Sequence, residues 1–176
     1  SCFAGRDPEA VAVLWQQPGG SVRPVTVAEL RKRVDRVAWA VQSAGFLPGD
    51  ALAACMPMNL ESVVIYLGVV LSGCVVVSIA DSFAPEEIAT RLRISKARGI
   101  FTQDVILRGE RVLPLYERVL AADAPRAIVL PAGEELTTPL RGGDLGWDDF
   151  LAGGSASPFE PCIVDVDTPI NILFSS

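Results

Sequence analysis

The last seven residues set two hydroxyls directly behind a candidate strand. The apolar, β-favouring run at 170–174 (Ile-Asn-Ile-Leu-Phe) is followed by Ser175 and Ser176. A strand that runs into small hydroxyl residues continues as a loop whose backbone N–H groups and hydroxyls face a phosphate, so these serines point to nucleotide handling. Only the opening of such a loop is present, which gives the expectation that this chain alone cannot carry out the chemistry. Proton transfer must use groups other than imidazole. The chain has no histidine, which excludes histidine triads, histidine general bases and most zinc sites. Cys2, Cys55, Cys74 and Cys162 show no C-x-x-C spacing. The apolar runs around Cys55 and Cys74 predict buried free thiols in a reducing compartment rather than disulfides or metal ligands.

What must position the serines is a core of ordinary size. The chain has 176 residues, half of them hydrophobic, enough for one core or for part of a larger domain. A net charge of −6 with scattered arginines excludes a basic nucleic-acid surface and favours small, uncharged to anionic partners. The run at 62–80 carries no charge and approaches the roughly 18–20 residues that span a bilayer. Ser72-Gly73 divides it into a helical half and a β-branched half, and basic anchors are absent. The expectation is a buried helix followed by a buried parallel strand, with no membrane span.

Punctuation along the chain supplies the remaining elements. Short strands at 10–14 and 22–25 flank Pro18-Gly19-Gly20 as a hairpin. Thr26-Val27-Ala28-Glu29 reads as a capping box in which the threonine hydroxyl and the glutamate each reach the other's backbone. Leu30, Val34, Val37, Ala38, Val41 and Ala44 follow at helical spacing up to Gly45, while Arg31, Lys32, Asp35, Arg36 and Gln42 form a solvated face. A strand at 51–56 leads through Pro57 to Asn59, the cap of a helix ending near Gly73. Pro85 opens a helix to about Ser95. Strands at 99–102 and 127–130 bracket a short helix at 113–121. Past Leu130 the pattern dissolves into Gly, Pro and acidic residues, with a helical turn at 147–151 and a surface linker at 153–161. Trp15, Trp39 and Trp147 are expected to cover the core. Asp81 and Ser82 fall beyond a strand's C-terminal end, where the aspartate is expected to cap the next helix or hold its loop. The alternation predicts an α/β fold with a parallel sheet flanked by helices.

Three segments together resemble the adenylate-forming, AMP-binding superfamily, and within it acyl-CoA synthetases of the acetyl-CoA synthetase and plant acyl-activating type. They are Gly45-Phe46-Leu47-Pro48-Gly49-Asp50 through Met56-Pro57-Met58-Asn59 to Ser72-Gly73-Cys74; Ser78-Ile79-Ala80-Asp81-Ser82-Phe83-Ala84-Pro85-Glu86; and Asn171-Ile172-Leu173-Phe174-Ser175-Ser176. The resemblance implies that 1–176 is an incomplete N-terminal part of the large adenylation domain, cut at the start of its phosphate loop. It implies ATP, Mg2+, coenzyme A and a small carboxylic acid as reactants, with Ser175 and Ser176 as the loop's first hydroxyls. It also implies that Arg108 and Arg111, in Arg-Gly-Glu-Arg ahead of Pro114-Leu115, bind the 3′-phosphate of coenzyme A. Two guanidinium forks suit that ligand. Glu110 departs from the small residue of the family pattern.

The function expected on this resemblance is an ATP-dependent, AMP-forming carboxylate–CoA ligase in the cytosol or peroxisome, inactive as the fragment alone. The alternatives are an adenylation domain that loads a carrier protein and a short isoform acting as a non-catalytic binding or dimerisation module. A dinucleotide-binding oxidoreductase is disfavoured, because neither G-x-G-x-x-G nor a Walker A sequence occurs.

Overall fold

The computed structural model describes residues 3–16 and 20–174. Cys2, the Pro18-Gly19 turn and both candidate phosphate-loop residues, Ser175 and Ser176, lie outside the described residues. Strands β1 (Val11–Gln16) and β2 (Val22–Thr26) pair antiparallel. Then follow α1 (Val27–Ser43), β3 (Ala51–Cys55), α2 (Leu60–Leu71), β4 (Val75–Ile79) and α3 (Pro85–Ser95). Next come β5 (Gly99–Gln103), an antiparallel hairpin of β6 (Val105–Arg108) and β7 (Arg111–Pro114), α4 (Leu115–Ala121) and β8 (Arg126–Leu130). The chain closes with β9 (Leu145–Gly146), α5 (Trp147–Ala152) and β10 (Asn171–Ile172).

The central sheet has the order β10-β4-β3-β5-β8-β9, and every neighbouring pair is parallel. Because side chains alternate across a strand, each strand feeds two cores. Leu52, Val76, Phe101 and Ile128 pack beneath α1, α2 and Phe150 of α5. Ala53, Val77, Ile100 and Ala127 pack on the other face against Ile88 and Leu92 of α3 and Leu115 and Val119 of α4. The uncharged run is divided as expected: α2 ends at the Ser72 cap, Gly73 turns at φ +83°, and β4 follows. Among the described residues no helix is long and apolar enough to cross a membrane.

Helices α1 and α2 touch because α2 carries a glycine at the crossing. A Cβ on Gly68 would lie 2.5 Å from Cγ1 of Val37 and 3.2 Å from the carbonyl oxygen of Val34. Gly68→Ala should therefore force the helices apart and lower stability by about 1–3 kcal/mol, despite the helix propensity gained. A urea titration checks this, and an unchanged or raised midpoint would contradict the close approach.

Several local expectations are corrected. Thr26 caps α1, its hydroxyl accepting from the Glu29 N–H at 3.1 Å. Glu29 does not complete the box, since its carboxylate accepts from Arg23 and, at 3.3 Å, from Arg33. Asp35 is buried rather than solvated: it accepts from Nε of Arg31 at 2.6 Å, and Arg31 also donates to the carbonyl of Phe159 at 2.9 Å. The linker is thus docked on α1. Phe159 lies edge-on to Trp39, whose indole N–H donates to the Ser157 carbonyl at 3.0 Å. The helix expected from residue 113 begins at Leu115, because the preceding residues form β7.

Candidate functional site

Loops at the C-terminal ends of parallel strands are where open α/β sheets bind ligands. That edge gathers the segment from Met56 to Asn59 behind β3, the Asp81-Ser82-Phe83 loop behind β4, Asp104 and the β6–β7 hairpin behind β5, and Leu173-Phe174 behind β10. Each is fixed locally. Asn59 caps α2, its Oδ1 accepting from the Ser62 N–H at 2.8 Å, and its amide nitrogen reaches Oε1 of Gln103 at 3.4 Å.

Asp104 is the most connected of these residues. Its Oδ1 accepts from the N–H groups of Val105 and Ala132, each at 2.7 Å. Its Oδ2 accepts from the N–H and the hydroxyl of Thr137, each at 2.9 Å. Its carbonyl receives the Leu115 and Tyr116 N–H groups at the start of α4, while its own N–H donates to Leu130. One buried side chain therefore ties the root of the hairpin to the loop after β8. A second knot holds the far end of that loop. The buried Tyr116 hydroxyl donates to Oδ2 of Asp144 at 2.6 Å, and Oδ1 of Asp144 accepts from Ala127 and Arg141. Burial, then the bond to Asp144, pushes the Tyr116 hydroxyl above its ordinary range.

Arg108 and Arg111 are register partners across the two-residue turn Gly109-Glu110, in which Gly109 takes φ +60°. Directly opposed residues in an antiparallel pair share a face. The pair Ile106 and Leu113 lies on that same face, and Ile106 is buried in the second core. The arginines therefore lean toward the body of the domain, whereas Leu107 and Val112 occupy the outer, exposed face. Nη2 of Arg108 donates to both oxygens of Asp81 at 3.2 Å. Asp81 does not cap α3, whose N-cap is Ala84. Its carbonyl accepts from Nη1 of Arg118 at 3.3 Å, so its loop is held from α4. Arg111 has no hydrogen-bond or ion-pair partner among the described residues, and Glu110 is exposed at the tip.

The arginine hairpin and the chain entering Ser175 share this edge but not one point. Strands β4 and β3 separate β10 from β5, three inter-strand spacings or about 14 Å. Phe174, the last described residue, lies 5.5 Å from the guanidinium of Arg91, which also stacks 3.9 Å over Phe83. Beside α2 opens a cavity of about 550 Å³, lined mainly by apolar groups including Met56, Met58, Tyr66, Leu67 and Ile79, and also by Asp81.

Cys55, at the end of β3, is the cysteine at this level among the described residues, and it is buried. Burial, reinforced by the charge of Asp81 and opposed by Arg118, pushes the Cys55 thiol up to about 12. Iodoacetamide at pH 8 should leave Cys55 of the native protein unmodified; labelling at the rate of a free thiol would contradict its burial. The unfolded thiol ionises near 9 and the folded one near 12, so unfolding releases a proton between those values and stability falls as pH rises through that window. Cys55, Cys74 and Cys162 are free thiols.

A family model described as AMP-binding enzyme matches residues 3–176. The chain is 50% identical over 180 residues to a protein of Arabidopsis thaliana named probable acyl-activating enzyme 18, peroxisomal, covering 97% of this chain and 25% of that protein. It is 48% identical to hexanoyl-CoA synthase of Cannabis sativa, covering 93% of this chain and 24% of that protein. Among solved structures, acetoacetyl-CoA synthetase from Streptomyces lividans matches with a TM-score of 0.75 and 27% identity, over 88% of this chain and 24% of that one. The chain spans about a quarter of the length of the curated relatives it matches. A helix-covered parallel sheet with its loops gathered at one edge, matched to a single family along nearly its whole length, makes this chain a member of the AMP-binding enzyme family.

Proposed function

We propose that residues 1–176 are the N-terminal part of the adenylation domain of an ATP-dependent, AMP-forming carboxylate–CoA ligase, with Ser175 and Ser176 opening its phosphate loop. The observation that carries this reading is the similarity to hexanoyl-CoA synthase along almost all of the chain. In the reaction, a carboxylate oxygen attacks the α-phosphorus of ATP, the bond to the bridging oxygen breaks, and pyrophosphate leaves. The thiolate of coenzyme A then attacks the acyl carbon and AMP departs with the carboxylate oxygen. Donors aimed at the phosphate oxygens carry the first step. Mg2+ belongs to the ATP substrate in this reading; among the described residues no group of three His, Cys, Asp or Glu side chains could hold it.

Arg108 and Arg111 are assigned to the 3′-phosphate of coenzyme A. Their shared hairpin face, and the lack of a partner for the Arg111 guanidinium among the described residues, support that role. The peroxisome or the cytosol suits the protein, since both keep thiols such as Cys55 and Cys74 reduced.

The test is carboxylate-dependent pyrophosphate–ATP exchange by the full-length protein over short and medium acids, followed by acyl-CoA formation on adding coenzyme A. Exchange followed by thioester formation is expected. Exchange without transfer to coenzyme A would favour loading of a carrier protein, and no exchange with any acid would overturn the ligase reading. The 176-residue chain alone is expected to be silent in the same assay, because it holds at most the first hydroxyls of the phosphate cradle.

A further inference from the structure

Arg108 and Arg111 place like charges directly opposite each other across a tight turn, an arrangement that is unfavourable unless something offsets it. Asp81 does so on one side only. Its geometry is unusual for a plain ion pair: a single nitrogen, Nη2 of Arg108, serves both carboxylate oxygens at 3.2 Å. No described residue occupies Nε or Nη1 of Arg108. The two ends of the pair also differ in exposure, since the Asp81 side chain is 18% exposed and that of Arg108 55%. Pairs with one exposed partner contribute little to stability. A carboxylate anchored in the β4–α3 loop and further fixed through the Arg118 bond to its carbonyl is instead suited to orienting an exposed guanidinium.

We propose that Asp81 is a positioning residue for coenzyme A: it holds Arg108 by one nitrogen so that the remaining guanidinium edge, beside Arg111, is presented to the 3′-phosphate. This rests on the assignment of that phosphate to Arg108 and Arg111. An arginine side chain loses rotamer freedom when it fixes a ligand, and an anchor that has already removed part of that freedom strengthens binding without touching the ligand. The carboxylate accepts from Arg108 and leaves the donors of the other edge free. The role is therefore specific to the 3′-phosphate and should leave the acyl-adenylate step unchanged.

The experiment measures KM for coenzyme A and for dephospho-coenzyme A, which lacks the 3′-phosphate, in the full-length enzyme at saturating ATP and acid. Asp81→Ala should raise KM for coenzyme A about five- to tenfold while leaving kcat, KM for ATP and KM for dephospho-coenzyme A within about twofold. Asp81→Asn keeps one oxygen that can accept from Nη2, so it should recover most of the loss. In an Arg108→Ala background, Asp81→Ala should add nothing. An unchanged KM for coenzyme A in Asp81→Ala would overturn the inference. So would a lowered one, in which the carboxylate competes with the phosphate, or an equal rise for both thiols, in which Asp81 only holds its loop. The underlying assignment is read separately from the Arg108→Ala, Arg111→Ala double variant. If that variant does not distinguish the two thiols, the phosphate site itself is refuted. If it does and Asp81→Ala does not, only the role of Asp81 fails.

Discussion

Asp104→Ala should destabilise the fold by about 3–5 kcal/mol, the largest loss expected from any single substitution at the sheet edge. The carboxylate is buried and receives four hydrogen bonds, from Val105, Ala132 and twice from Thr137. Truncation strands three backbone N–H groups, and buried donors left without partners cost about 1–3 kcal/mol each before water relieves them. Asparagine is no conservative replacement. Whichever way its amide is turned, an NH2 faces N–H donors, either those of Val105 and Ala132 or that of Thr137. Both variants should therefore shift the urea midpoint strongly, and Thr137→Val, which removes only a hydroxyl, should shift it less. A loss below about 1 kcal/mol for Asp104→Ala would show that water substitutes for the carboxylate at no great cost. Because the same residue roots the arginine hairpin, the proposed coenzyme A site predicts weaker binding of that thiol by the surviving folded protein.

On the proposed ligase function and coenzyme A site, the largest functional effect expected is that of removing both hairpin arginines. In the full-length enzyme, Arg108→Ala with Arg111→Ala should raise KM for coenzyme A by about 10- to 100-fold, the scale of two partly exposed charge-assisted contacts. KM for dephospho-coenzyme A should change by less than about threefold, because that thiol offers the pair no 3′-phosphate. The gap should narrow at high salt, as exposed charges are screened. Steady-state rates with the two thiols decide it. Equal effects on both would mean that the arginines act by holding the hairpin rather than by gripping a phosphate.

Where the sequence was legible, single residues with fixed conformational duties made it so. Gly45 and Gly73 both stand at positive φ just beyond helix ends, Asn59 caps α2 through its side chain, and Pro85 opens α3. These mark boundaries within the chain, and boundaries plus burial patterns are enough to predict a parallel sheet. The β6–β7 hairpin has a faint signature, Val105-Ile106-Leu107 and Val112-Leu113 flanking Gly109, a β-favouring pair around a left-handed residue. Asp104 gave no comparable signal. Its partners Ala132 and Thr137 lie about 30 residues away along a Gly- and Pro-rich stretch, and only the fold brings them to it. The same holds for Asp81, whose partner Arg108 comes from strand β6, so the candidate site was legible as residue types and invisible as a network.

The order of strands also sets a timetable for synthesis. Val76 of β4 and Asn171 of β10 are register partners, so one flank of β4 is completed only after about 95 more residues have been added, roughly 5–20 s at ribosomal rates of about 5–20 residues per second. During that interval the nascent chain offers a bare row of amide and carbonyl groups on one of its most apolar strands, where another chain can pair wrongly. Synonymous codon changes that slow elongation between β4 and β10 should therefore lengthen the exposure and lower soluble yield without altering a single residue.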